Sequence, residues 1–511
     1  MVFQSILFPD SEGVRRPEAT APPEFVTDLN LDQIVDAMTA PKAEYKLKPF
    51  FYAPLGDLAA VRYRQDVMRD LDGEALLGAI LRFAEQMREM RKELERSAKL
   101  YYQKQKRWWF LEAALRYCQA AHHLACDLAP LSPASAGLST FKTFVADHCA
   151  SAGFARLLAE AEQIRKALAA ITYSLIIKDD SITVRDYADE IDYSAAVEET
   201  FQKFAQGIGK DYRVKFSEPF EMNHVEAAVL DSVARLNPGE FGRLSEFCAD
   251  HADFLDPTIA RFDREVQFYV AYREYIAPLR AAGLGFCMPE LSATDKTISV
   301  ADGFDLALAH KLTAPDANVV RNDFALEGDE RAIIVSGPNQ GGKTTFLRMF
   351  GQLHYLASLG LPVPGREARL LLFDQLFTHF EREEKVENLR SKFEDDLVRV
   401  HRIIERASGR SIVLMNESFS STSLEDAVLI GKNVVRRMLA KDLICVYVTF
   451  VDELSELSRS TVSMVSTIVP GDSASRTFKI VRRRADGRAY AMAIAAKHRL
   501  TYDALRQRIG G

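Results

Sequence analysis

Eight residues, Gly337-Pro-Asn-Gln-Gly-Gly-Lys343-Thr344, set the terms for the rest of the chain. Their spacing is G-x-x-x-x-G-K-T, placed after the β-branched run Ile333 to Val335 and before a helical stretch that runs to about Leu359 and Gly360. A strand, a glycine-rich loop and a helix in that order make a P-loop. Gly337, Gly341 and Gly342 let successive backbone N–H groups approach phosphate oxygens with no Cβ in the way. Pro338, Asn339 and Gln340 fill the loop between them, and Thr345 continues the helix. Lys343 supplies a point charge for the β- and γ-phosphates and Thr344 a hydroxyl for Mg²⁺, while the helix start turns its partial positive charge on the anion. A chance glycine-rich turn would not explain the strand before it and the amphipathic helix after it. The pattern therefore points to a nucleoside triphosphate and Mg²⁺.

A chain of 511 residues, 48% hydrophobic, exceeds one core and is expected to form two to four domains. The net charge of −7 argues against a protein that coats nucleic acid nonspecifically, but leaves room for a local basic groove. Met1 to Asp10 lacks a basic segment followed by an apolar core, and every long apolar stretch is interrupted by charge well before membrane-spanning length. Neither a signal peptide nor a membrane partner is expected. Cys118, Cys126, Cys149, Cys248, Cys287 and Cys445 are scattered without a C-x-x-C pair, as suits reduced thiols and a cytoplasmic location. Cys118, His122 and Cys126 fall at i, i+4 and i+8 of a predicted helix, but no fourth ligand is at hand, so a packed stripe is the better reading.

Taken in order, residues 1–45 are mixed and proline-bearing, with a short helix capped by Asp32, and read as an N-terminal extension or arm. Residues 46–297 are dominated by helical periodicity, with segments expected at Glu74 to Leu100, Trp108 to Leu128, Phe154 to Ile171, Ala195 to Ala205, Val225 to Leu236 and Pro257 to Ala282. Asp256 should cap the last of these, with Pro257 in its first turn. A small β insertion is expected near 173–220, built from a hairpin over Tyr173 to Asp186 and a third strand at Arg213 to Phe216. Lys99 to Trp109 interleaves basic and aromatic residues, a pattern shared by single-strand platforms and by ordinary half-packed helices. From 298 to 511 strands and helices alternate, as in a mostly parallel sheet. This part includes an apolar run at Leu370 to Phe373, a helix at Glu394 to Ala407 and a strand at Ile412 to Met415. A helix at Leu424 to Leu439 and a strand at Leu443 to Val448 follow, then a terminal hairpin of Thr477 to Val481 with Ala489 to Ile494.

Ile412 to Met415 followed by Asn416-Glu417 is the one good candidate for the acidic strand end that such a site needs, with Glu417 polarising the attacking water. At this point the chain resembles the MutS-type mismatch-repair ATPases of the ABC superfamily. The resemblance rests on Gly337 to Arg348, Val363-Pro364, Phe373 to Thr378, the signature-like Ser391 to Leu397, Asn416-Glu417 with Ser421 to Ser423, and Thr449 to Leu454. Val319 to Phe324 resembles the segment beside the base, and Pro54 to Leu58 with Arg64-Gln65 the start of the helical core. It implies an α/β P-loop ATPase domain of ABC type at 298–511, preceded by a mostly α-helical core or lever domain. It further implies ATP and Mg²⁺ as cofactors, with Lys343 and Thr344 on phosphate and metal, and Asn416 on the metal through water. Ser391 of a second copy would reach the γ-phosphate, making a homodimer with composite sites, and the helices would be levers able to embrace double-stranded DNA.

Departures from the pattern sharpen these expectations. The family's mismatch-reading and connector domains precede the core, and only about 50 residues do so here, so a short member without them is expected. Phe110-Leu-Glu112 spells the family's Phe-x-Glu wedge, but it lies inside a predicted helix and is given no mismatch role. Asn416 stands for the usual aspartate, Phe450 for a histidine after Thr449, and Ser418-Phe-Ser-Ser421 for a turn containing glycine and arginine. Slow ATP hydrolysis coupled to recognition of DNA structure or damage is the favoured reading, with an ATP-gated protein-interaction switch that binds no nucleic acid as the alternative.

Overall fold

The computed structural model describes residues 3–10, 13, 17–188, 222–312, 319–381, 392–469 and 472–485. Packing groups the chain into two compact units, one comprising Met1–Phe3, Leu71–Pro133 and Leu138–Asp263, the other Gln4–Asp70, Ala134–Gly137 and Arg264–Gly511. The first is mostly helical with one hairpin and the second mixes helices with sheets. Among the described residues no helix is long and apolar enough to cross a membrane.

In the helical unit, Glu74–Lys99 and Gln103–Leu128 pack along one another, and Ala152–Ala169 and Pro238–Asp250 pack on the latter. Leu76, Ala79, Ile80, Phe83, Met87 and Met90 are buried at three- and four-residue spacing, the stripe that drives an amphipathic helix into a core. Phe141 stacks on Phe262 with ring centroids 3.4 Å apart, and Phe83 packs tilted against Phe262 at 5.9 Å. Asp256 caps as expected, its Oδ1 accepting from the N–H groups of Thr258 and Ile259 at 2.8 and 3.1 Å. The expected hairpin forms from Tyr173–Lys178 and Ser181–Asp186, with Asp179 in the left-handed region at φ 52°. The expected helix at Ala195 to Ala205 and strand at Arg213 to Phe216 lie outside the described residues.

Three sequence features of this unit resolve into packing. Gln103–Leu128 begins five residues before the predicted Trp108, so most of the basic and aromatic run lies on a helix. Lys104 pairs with Asp231, Arg96 sits 5.1 Å over the Trp109 ring, and Trp108 and Trp109 line an apolar cavity of about 420 Å³ with Leu168 and Leu244. Tyr101 alone of the aromatics in that run stands well exposed. Phe110 packs edge-on against Phe247 and Phe254, centroids 6.4 and 5.3 Å away. Cys118 is buried, its thiol pushed up to about 12 by burial, whereas His122 and Cys126 are exposed, so the three do not converge. All six cysteines are free.

The second unit is built around two sheets, whose elements are labelled here. In chain order they are β1 (Glu290–Ser292), β2 (Ile298–Gly303), β3 (Asn322–Leu326), β4 (Ala332–Ser336), α1 (Lys343–Ser358), β5 (Glu367–Leu371) and β6 (Leu376–Phe380). There follow α2 (Lys392–Arg406), β7 (Ile412–Asn416), α3 (Leu424–Ala440), β8 (Ile444–Val448), β9 (Thr461–Val469) and β10 (Asp472–Arg482). The larger sheet has the order β6-β7-β8-β4-β9-β10, parallel from β6 to β9 and antiparallel at β10. Every residue of β4 and β8 is buried, as expected for parallel strands covered on both faces. One face carries Ile334, Val413, Met415 and Tyr447 against Val400 and Ile404 of α2 and Val434, Val435 and Met438 of α3.

One expectation is corrected. The apolar run Leu370 to Phe373 does not join the larger sheet; Leu370 and Leu371 end β5, which belongs to a four-stranded sheet of order β1-β5-β2-β3. The edge strand of the larger sheet is β6, a few residues later, because Leu376 to Phe380 registers directly on Ile412 to Asn416. Thr477 to Val481 lies within β10, which pairs back onto β9. The partner expected for it at Ala489 to Ile494 is outside the described residues.

Helix α1 is buried almost all round, with every residue from Met349 to Ser358 out of solvent. Residues read as an extension supply one of its walls. Leu29 is buried against it, and a Cβ on Gly351 would meet Leu29 at 2.6 Å and Leu414 of β7 at 2.8 Å. Arg348 Nε donates to Asp28 O at 3.0 Å, and Gln352 Nε2 donates to Leu29 O at 2.9 Å. Asp32 lies in the first turn of Leu31–Thr39 and does not cap it; Asn30, at φ 56°, holds the cap position without a side-chain bond.

Arg64 closes the far end of α1. It is fully buried, donating through Nε to Leu7 O at 3.0 Å and through Nη1 to Leu359 O at 3.4 Å, with its guanidinium 5.3 Å over Phe268. Gly360, at φ 78°, gives it room, since a Cβ there would meet Arg64 Cβ at 2.5 Å. Arg64→Ala strips two buried carbonyls of a charged donor and leaves a cavity, so it should destabilise this unit by ~3 kcal/mol or more in urea unfolding. A loss under ~1 kcal/mol would contradict this packing role.

Candidate functional site

Parallel strands in register bring their carboxyl ends to one edge. Asn416 of β7 pairs with Val448 of β8, Val448 with Val335 of β4, and Ser336 with Val465 of β9. Ligands of open α/β sheets bind in the crevice beyond such ends, where connections diverge. Here the crevice is a cavity of about 470 Å³ lined by Gln340, Gly341, Gly342, Lys343, Thr344, Thr345 and Glu417. Its opposite wall is Asp305, Leu308, Val319, Val320, Asn322 and Phe478.

The glycines shape the loop. Gly337 and Gly342 have φ 110° and 88°, conformations that disfavour a side chain, and Gly342 is the residue from which α1 starts. Gly341 is needed for space. A Cβ there would run into Ser466 Oγ and lie 2.9 Å from Pro338 O, while Ser466 Oγ itself donates to Gly341 O at 2.7 Å. Gln340 takes φ 59° although it carries a side chain, so the loop between Asn339 and Gly342 is held in a tight wrap.

Lys343 is buried with its ammonium turned into this wrap, donating to Gly337 O at 2.9 Å, Pro338 O at 3.2 Å and Asn339 Oδ1 at 3.3 Å. Pro338 and Asn339 thus hold the lysine. Burial lowers the ammonium's pKa below the usual lysine range, and Glu417 opposes that shift. Thr344 Oγ1 donates to Asn416 Oδ1 at 3.1 Å, joining the start of α1 to the end of β7. Glu417 follows at φ 51°, its N–H donating to Val448 O at 2.8 Å and its side chain partly exposed at the cavity.

The structure therefore brings Lys343, Thr344, Asn416 and Glu417 together. Ser391 lies outside the described residues, one position before α2. Phe450 is half exposed after Thr449, whose N–H donates to Val335 O at 3.0 Å. Among the described residues no group of three or more His, Cys, Asp and Glu gathers as a metal site. Oxygen donors are present instead, in the Thr344 hydroxyl and the Asn416 amide carbonyl.

Residues 333–505 match the family model MutS domain V. Similarity to individual proteins is modest and concentrated in the same part. The DNA mismatch repair protein MutS of Thermotoga maritima is 28% identical over 182 residues, covering 35% of this chain and 23% of that protein. That of Chlorobium phaeovibrioides is 26% identical over 242 residues, 46% of this chain and 26% of its own. The endonuclease MutS2 of Thermus thermophilus is 29% identical over 206 residues, 40% and 27% respectively. The matched part of the chain spans about a quarter of the length of these relatives.

Phe478, Ser466 and Asp305 belong to the site without a sequence signal of their own. Phe478 is a left-handed residue at φ 58° within β10, half exposed and lining the cavity, and Asn322 pins its neighbour by accepting from Ile480 N–H at 2.8 Å. Asp305 caps Leu306–Lys311 through Leu308 N–H and takes an amide bond from Gln352 of α1; burial raises its carboxyl above the usual range. Its position after Phe304, ahead of a short helix, reads as an ordinary cap. Gly341→Ala should disturb the loop and weaken binding of a fluorescent ATP analogue by about tenfold or more, with little change in urea midpoint, because the displaced atoms are those of the glycine loop. Unchanged affinity would mean that the loop does not hold the ligand.

Proposed function

We propose that this chain binds ATP with Mg²⁺ at residues 337–345, hydrolyses it slowly as a homodimer, and couples that cycle to double-stranded DNA of altered structure or damage. The observation that carries the reading is the convergence of Lys343, Thr344, Asn416 and Glu417 at adjacent strand ends, inside the span that matches MutS domain V. The relatives' names connect that span with DNA mismatch repair. Residues 298–511 would form the ATPase and residues 46–297 the lever.

In this reading the Lys343 ammonium moves from three loop oxygens to phosphate oxygens, a like-for-like exchange of acceptors. Thr344 and Asn416 fit Mg²⁺, which favours hard oxygen ligands and keeps several waters, with Asn416 acting through water. The metal supplies neutralisation of phosphate charge. Glu417 holds the attacking water, and its left-handed backbone aims the carboxylate past the strand end into the cavity. Ser391 of a second copy completes the γ-phosphate shell. Support for structure-directed rather than mispair-directed recognition comes from Phe110, whose ring is packed on Phe247 and Phe254 and is not available as a wedge.

Phosphate release by the purified chain, beside Lys343→Ala and Glu417→Ala, tests the enzyme claim: both substitutions should lower the rate by ~100-fold or more. Wild-type release no faster than either variant's would remove it. Asn416→Asp restores a full charge beside Thr344 and should raise Mg²⁺-dependent turnover by about tenfold. Anisotropy titration with duplex, mismatched and branched DNA over a range of salt should show binding that weakens steeply with salt. No binding to any of these, with protein partners that differ between ATP and ADP, would favour the protein-interaction switch.

A further inference from the structure

The turn that carries Glu417 departs from ordinary backbone. Glu417 and Phe419 both have positive φ, 51° and 64°, and neither is glycine, so the segment needs neighbours that hold it. Phe419 is fully buried, and the Ser418 carbonyl accepts from Tyr447 O–H at 3.1 Å. The Ser418 side chain is held by a group the reaction above does not use. His379, on edge strand β6 and with no exposure to solvent, places Nδ1 2.7 Å from Ser418 Oγ. Its other nitrogen, Nε2, stands 3.3 Å from Asp396 Oδ1 on α2, off the line of a hydrogen bond. Asp396 and Ser418 are buried as well.

The chemistry of imidazole decides how these three fit. With Asp396 as a carboxylate, the proton belongs on Nε2, which leaves Nδ1 bare to accept from the Ser418 hydroxyl. Burial rules out a nucleophilic role for Ser418, since no substrate reaches it. What the chain of contacts does is tie helix α2, by way of β6, to the residue directly after Glu417. Arg399 adds a second tie, donating from α2 to Phe380 O at 3.3 Å.

We propose that His379 is a positioning residue: through Ser418 it fixes the strained turn on which Glu417 sits, and through Asp396 it makes the aim of Glu417 depend on the placement of α2. The inference rests on the hydrolysis reading for its rate consequence, but not for its structural one. Since α2 begins directly after Ser391, the segment proposed to engage a second copy's nucleotide, movement of α2 on closure would be felt at Glu417 through a buried path of three side chains.

Single-turnover ATP hydrolysis, ATP affinity and hydrogen exchange of peptides covering 412–424 and 332–347 are measured on wild type, Ser418→Ala, His379→Leu, His379→Asn and the double variant Ser418→Ala/His379→Leu. Asparagine reproduces the Nδ1 acceptor but not the reach to Asp396. His379→Leu and Ser418→Ala should slow hydrolysis by about ten- to a hundredfold with ATP affinity within about twofold of wild type, as a displaced reacting group does. The double variant should be no slower than either single one, exchange should rise in 412–424 alone, and His379→Asn, which keeps the Ser418 tie but not the Asp396 one, should recover part of the rate. Rates within about twofold of wild type, affinity falling in step with rate, or asparagine no better than leucine would overturn the proposal. If wild type hydrolyses no faster than Glu417→Ala, the enzyme reading fails separately. Exchange then decides: faster exchange in 412–424 that asparagine reverses supports the relay, and unchanged exchange overturns it.

Discussion

Burying a helix on every side is the constraint from which the second unit follows. Met349 to Ser358 of α1 has no solvent face, so one sheet cannot satisfy it. The larger sheet covers one side, with Gly351 admitting Leu414 of β7. Phe25 to Leu31 covers another, and Arg64 and Gly360 seal the end. Polar groups are recruited only where the backbone demands partners: Gln352 serves Leu29 O, Leu306 N–H and the Asp305 carboxylate at once. Because α1 is enclosed by this packing, the loop at its amino end starts from a fixed helix.

A fixed helix start bears on the loop's proposed role. Anion binding at a helix start depends on N–H groups that already point the right way, since reorganising them on binding would cost much of the interaction. Gly341 packed against Ser466, Gly342 starting the helix in the left-handed region, and Lys343 tied to three loop oxygens together describe a wrap formed in advance. Asn416 is a weaker partner than a carboxylate would be, and the bond from Thr344 shows what it offers: one neutral oxygen at the right place.

Much of this was legible in the chain. Residue spacing located the loop, the strand before it and the helix after it, and period-3.6 burial found Glu74–Lys99 and Pro257–Ala281 to within a residue or two, since those signals are local. The strand run at 370–373 misled because apolar composition does not say which sheet a strand joins; register on Ile412 to Asn416 decided for Leu376 to Phe380 instead. The basic and aromatic run at 99–109 was ambiguous for the same reason. Its rings and charges take meaning only from Asp231, Leu168 and Leu244, which lie far along the chain. Phe478 and Ser466 carry no motif, and they matter because β9 and β10 happen to pass over the loop.

By itself the sequence determined the glycine-rich loop between a strand and a helix, since glycine, lysine and threonine at fixed spacing act through backbone freedom, charge and hydroxyl within eight residues. It also determined the helices at Glu74–Lys99, Gln103–Leu128 and Pro257–Ala281 and the alternation of strands and helices from Ala332 to Val448 among the described residues. Only the tertiary structure decided that Asn416 meets Thr344, that residues 25–31 wall the helix, and that His379 and Asp396 stand behind Ser418. Those are contacts between residues from 17 to more than 300 positions apart, and long-range pairing is set by how buried faces close on one another, which no local pattern encodes.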